Sequence, residues 1–299
     1  MRFITLSLLL LSAALPVNAA LSVLACEPEW AALTTELGQE YVQVHSATHG
    51  KQDPHYIQAR PSLIAKARRA DLLVCTGAQL EEGWLPLLLR KSANAAIQPN
   101  AIGHFMATDY VALKGIPDAS LDRSAGHIHL AGNPHIQLDP YLILTVAKQL
   151  SQRLQQLDPE NQSHYQAYLD SFTQQWQRAI SRWEEMAKPL VNMPILVQHD
   201  NWHYLVDWLK LKQVSTLEKK PGVEPSVKDL DAVLQIVQRQ PVQAVVRAAY
   251  QPPQAANWLA QHSQLPIVVL PFTVGGETAV DNLYHLYDVT IERLLTVTQ

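Results

Sequence analysis

Three short segments of this chain place a histidine in similar surroundings: Gln52-Asp53-Pro54-His55, Gly132-Asn133-Pro134-His135 and Gln198-His199-Asp200. Imidazole nitrogen is a good ligand for Zn2+, and also for Cu, Ni and Fe. A proline just before His55 and His135 restricts the backbone and helps hold each ring. A ligand held in advance loses less freedom when an ion binds. Asp53, Asp139 and Asp200 are candidate partners for ring N–H groups, with capping and surface roles as the competing readings. Taken singly, each histidine reads more readily as a satisfied core or surface residue. No periodicity joins the three.

The elements around these segments follow one pattern written twice. Short apolar runs at Leu21–Ala25, Tyr41–Val44 and Asp71–Cys75 read as strands. Amphipathic runs at Glu27–Leu37, Pro61–Ala70 and Glu82–Ser92 read as helices between and after them. The second half repeats this, with strands at Ile195–Val197, Gln213–Leu217, Gln243–Ala248 and Ile267–Leu270. Its helices are Trp202–Leu211, Ser226–Gln240, Pro252–His262 and Ala279–Val297, and Ser226 and Asp229 are spaced as a capping box. Strands alternating with helices of this length imply βαβ units and parallel sheets, hence two α/β lobes. In such sheets the crevice lies beyond the carboxyl ends of the strands. His199 directly follows a strand, and His55 follows one at a short distance. Between the two sets, Tyr165, Tyr168, Leu169, Phe172, Trp176, Ile180, Trp183 and Ala187 recur at steps of three or four. Residues 160–187 therefore predict one helix about 42 Å long, able to run down the backs of both lobes. The division expected is a leader at 1–19, a lobe at 20–158, a linking helix at 159–189 and a second lobe at 190–299.

Composition excludes several classes. The chain has 299 residues, 47% hydrophobic and 17% charged, enough apolar material for real cores. Its 23 basic and 27 acidic residues form no cationic stripe, so nucleic acid is not an expected partner. Residues 1–19 carry one Arg, an apolar run and Val17-Asn18-Ala19, the layout of a cleaved secretory signal peptide. Val23-Leu24-Ala25 before Cys26 fits a lipoprotein signal poorly. Secretion opens an oxidising compartment to Cys26 and Cys75, both ending short strands. A disulfide and two buried thiols remain alternatives at this point.

Taken together, the motifs resemble the zinc-binding extracytoplasmic subunits of ABC metal importers, the cluster A-I solute-binding proteins. The resemblance covers nearly the whole chain after the leader. It is carried by Ala25-Cys26-Glu27-Pro28-Glu29-Trp30, Gln52-Asp53-Pro54-His55, Ala59-Arg60-Pro61-Ser62 and Ala70 to Gly77. It continues through Gly83-Trp84-Leu85-Pro86, Gly132-Asn133-Pro134-His135 and Leu138-Asp139-Pro140. In the second half it rests on His199, Trp202, Tyr204, Glu218, Lys220-Pro221-Gly222, Pro225-Ser226 and Leu270-Pro271. The resemblance implies two four-stranded parallel lobes joined by one rigid helix, with metal between them. It implies ligand roles for His55, His135 and His199, a Zn2+ cargo, a periplasmic location and a membrane permease as partner. A monomer is expected. Where relatives that favour manganese look acidic at the third position, this chain has His199, which suits zinc.

Two departures matter. Val274 stands where many relatives carry an Asp ligand, leaving Glu277 or water to complete the shell. The stretch before His135 holds only His104, His127 and His129, where zinc relatives often have a long His-rich loop. His127 and His129 read first as part of a solvated loop, with help in metal capture as the competing role. Trp202 and Tyr204 read as core, and Arg60 and Arg247 as structural. A secreted zinc hydrolase or hydratase with a three-His plus water site is the alternative function. It lacks an HExxH motif, and Glu277 is its only obvious base. A carrier of an organic solute or metal chelate is a third reading.

Overall fold

β1 (Leu21–Ala25) is the strand around which the first sheet assembles. β2 (Val42–Ser46) and β3 (Leu72–Cys75) flank it, and β4 (His104–Met106) lies beyond β3. The order is β2-β1-β3-β4 and every pairing is parallel. The connections run through α1 (Pro28–Gly38), α2 (Pro61–Arg69) and α3 (Leu85–Ser92), each opened by a proline in its first turn. The computed structural model describes residues 19–117 and 129–298. Nearly all of the expected leader, and His127, lie outside the described residues.

The second lobe repeats the plan. β5 (Pro194–Val197), β6 (Lys212–Thr216), β7 (Ala244–Ala248) and β8 (Ile267–Leu270) form a parallel sheet in the order β6-β5-β7-β8. α6 (His203–Leu209), α7 (Val227–Arg239) and α8 (Gln254–Ser263) make its crossovers, and α9 (Leu283–Leu295) closes the chain. Strand order reverses beside β1 in one sheet and β5 in the other, so a crevice opens at the carboxyl end of each.

Two further helices follow the first sheet, α4 (Pro140–Leu157) and α5 (Gln162–Met186), and α5 joins the lobes. α5 buries Tyr165, Leu169, Phe172, Trp176, Ile180 and Trp183 on one stripe. It packs on α1 and α4 in the first lobe and on α9 in the second. Its start differs from the sequence reading because residues 159–161 form a separate tight turn. One continuous apolar core runs from Val23 and Val74 through this stripe to Val197, Val246 and Ile291. Cys26 and Cys75 are disulfide-bonded across β1 and β3, with Cα atoms 4.8 Å apart, which removes the two-thiol alternative. Among the described residues no helix is long and apolar enough to cross a membrane.

Candidate metal centre

His55 lies in the loop after β2 and is fixed from several sides. Asp53 accepts from the His55 amide at 3.0 Å and from its ring Nδ1 at 2.7 Å. The indole of Trp84 donates to the Pro54 carbonyl at 2.9 Å, tying the same loop to the start of α3. With Nδ1 donating, Nε2 carries the lone pair, a tautomer assigned from its partner.

His135 is buried, at 2% exposure, between the lobes. Asn133 accepts from the His135 amide at 3.0 Å, and the ring packs edge-on against Phe272 with centroids 5.0 Å apart. Burial pushes its pKa well below the ordinary imidazole value, and the neighbouring rings of His55, His129, His199 and His203 push it the same way. This ring is therefore held neutral, the form that binds metal. The second lobe holds this segment too. Tyr204 donates to the Asn133 carbonyl at 2.8 Å, and the Asn133 side chain donates to the Asp200 carbonyl at 3.3 Å.

His129 is where the structure departs from the sequence reading. Its Nδ1 donates to the Ala78 carbonyl at 3.1 Å, and its Nε2 lies 3.1 Å from Nε2 of His55. Ligand nitrogens of His55, His129 and His135 all lie within 4.8 Å of one another. Two nitrogens held tetrahedrally at about 2.0–2.1 Å from one zinc would be roughly 3.3 Å apart. The His55–His129 spacing suits a shared ion. Nothing in the spacing of residues 127–135 distinguishes this arrangement from a solvated loop; the acceptor at Ala78 is distant in sequence.

His199 follows β5, in the opposite lobe. Its Nδ1 donates to Glu218 at 2.6 Å, and the Gly222 amide donates to the same carboxylate oxygen at 2.7 Å. The ring lines one cavity with His129 and His135 and a second with Asp53 and His55. His199 thus faces the cleft but stands outside the tight trio. Glu277 is turned elsewhere and pairs with Arg293 of α9. Of the other candidate partners, Asp139 caps α4 through the Tyr141 amide, and Asp200 pairs with His203 at 3.2 Å. Trp202 is buried against Phe272, and Arg247 donates to the carbonyls of Ala248 and Gln251.

Two parallel sheets whose carboxyl ends face each other across an imidazole-lined crevice define a two-lobed cleft-binding protein. The chain belongs to the family described as zinc-uptake complex component A, periplasmic, whose profile matches residues 23–296. Among curated proteins it is 23% identical to the high-affinity zinc uptake system protein ZnuA of Yersinia pestis, over 67% of this chain and 66% of that one. It is 24% identical to the manganese ABC transporter substrate-binding lipoprotein PsaA of Streptococcus pneumoniae, over 54% of this chain and 48% of that one. The matched region thus spans about half to two thirds of these relatives. Among solved structures, a ZnuA crystal structure superposes with a TM-score of 0.75 at 21% identity, covering 94% of this chain and all of that one. A Cd-bound periplasmic metal-binding protein from candidatus Liberibacter asiaticus gives 0.74 at 15% identity, covering 93% and 99%. At these identities the structures establish the fold.

Proposed function

We propose that this protein is an extracytoplasmic carrier that captures Zn2+ between its lobes and passes it to the membrane permease of an ABC importer. The observation that carries this reading is the convergence of His55, His129 and His135, with His199 on the facing wall. In this reading residues 20–158 and 190–299 are the two jaws and 159–189 the strut, working as a monomer. His55, His135 and His199 hold the ion, and His129 joins them. Asp53 and Glu218 orient two of the rings through Nδ1. Nitrogen donors favour zinc over manganese, while copper, which binds such sites more tightly, is excluded by availability. The hydrolase reading loses its base, because Glu277 is engaged by Arg293.

The test is calorimetric titration of Zn2+ into metal-stripped protein, with His55→Ala, His135→Ala and His199→Ala beside it. One ion per chain is expected, weakened at least about tenfold by each substitution. Binding should also weaken at acid pH, since imidazole must be deprotonated to bind. Unchanged affinity at pH 5.5, or in all three variants, would rule the reading out.

A further inference from the structure

The turn between β3 and α3 is wound against its residues' preferences. Gly77, Ala78 and Gln79 all have positive φ, at 86°, 46° and 70°. Glycine adopts this freely, but alanine and glutamine do so only against the steric clash of their Cβ atoms. Glu81 holds the turn in place. Its buried carboxylate accepts from the Thr76 amide at 2.7 Å and from the Gly77 amide at 3.1 Å. The result is a pair of acceptors aimed at one dipeptide. The Ala78 carbonyl takes the ring N–H of His129 at 3.1 Å, and the Gln79 side-chain oxygen takes the Leu130 amide at 2.8 Å. Ring and backbone are therefore fixed together, with Nε2 of His129 left facing His55.

We infer that the Thr76–Glu81 turn is a clamp that presents His129 to the cargo ion as an additional imidazole and biases the cleft toward zinc over manganese. Gln79 and Glu81 are its positioning residues. The inference rests on the carrier reading above. Without the Glu81 carboxylate the turn relaxes, the Ala78 carbonyl moves off the ring, and His129 loses both its tautomer and its place. Each imidazole withdrawn penalises zinc more than manganese, because manganese prefers oxygen donors.

The metal-stripped full chain is titrated with Zn2+ alone and with Mn2+ alone. The variants are Gln79→Gly, Glu81→Ala, Glu81→Gln, His129→Ala, and the first two each combined with His129→Ala. Gln79→Gly suits the backbone at φ 70° and removes only the contact to Leu130, so it tests the clamp without disturbing the core. Gln79→Gly and Glu81→Ala should each weaken zinc binding about tenfold or more. Manganese should change far less, and Glu81→Gln, which keeps an acceptor oxygen, should restore most of the loss. Neither substitution should add to His129→Ala. Unchanged zinc affinity in Gln79→Gly, or losses that add in full to that of His129→Ala, overturn the clamp and leave the carrier reading standing. Failure of the unaltered chain to bind zinc at all takes both down.

Discussion

Glu29 sits in the first turn of α1, 2% exposed, and accepts a hydrogen bond from the Thr273 hydroxyl of the other lobe. Burial raises its pKa to about 7. Beside it, Glu27 is raised well above the ordinary carboxyl value by burial and by the charges of Glu81 and Glu29. A carboxyl whose folded pKa is raised binds more protons folded than unfolded between the two values. Its contribution to stability is thus complete below about 4.5 and is lost as pH rises through about 7. Glu29→Gln keeps an acceptor for Thr273 and removes the ionisation. The variant should be more stable than the parent at pH 8, by up to about 3 kcal/mol, with the difference vanishing near pH 4.5. Urea denaturation at the two pH values checks this; a difference independent of pH would show that Glu29 ionises without penalty. None of this was legible from the sequence. A glutamate in a helix's first turn ordinarily faces solvent and serves the helix dipole, and only the meeting of two lobes over it reverses that.

At the scale of elements, α5 shows how packing decides what periodicity suggests. Trp176 is wholly buried, donates to the Pro140 carbonyl at 2.8 Å, and meets Trp183 and Tyr284 edge-on at 5.1 and 4.9 Å. Trp176→Ala removes the ring and leaves an unpaired carbonyl, and should destabilise the chain by about 3–5 kcal/mol in denaturant melts. The aromatic stripe was readable because steps of three and four survive in the sequence. The α7 capping box was readable for the same local reason, and Ser226 and Asp229 form both of its bonds. β4 was not: three residues with one buried side chain carry no alternation, and the strand exists because β3 has an edge to extend. The candidate site divides in the same way. The His55, His135 and His199 segments each carry a neighbouring proline or strand end, but only the family resemblance joined them, whereas His129 depends on a turn about 50 residues away whose winding no residue type announces.

For the molecule as a whole, the question is how far the lobes would move if the proposed ion entered the cleft. The seam between them is closely packed, and not only at the candidate site. Gly50 of the first lobe lies against the 274–276 backbone of the second, so closely that an added Cβ would stand 2.2 Å from the Gly276 amide nitrogen. Tyr287 of α9 donates to the Gln137 carbonyl at 2.6 Å, and Tyr204 reaches Asn133 in the same manner. Behind them the core is continuous from sheet to sheet through α5, and α9 touches α1 as well as β8. A hinge closure would have to break these buried bonds together and open that core, whereas sliding of packed helices by about 1–2 Å leaves them intact. Spin labels at Lys91→Cys on α3 and Lys228→Cys on α7 report on this, since both sites are exposed and the native cysteines are bonded to each other. Their separation should shift by less than about 2 Å between metal-stripped and zinc-loaded protein, the scale of helix sliding. Displacement of several ångströms would mean that the lobes swing as rigid bodies, and that the seam forms only once the ion is in place.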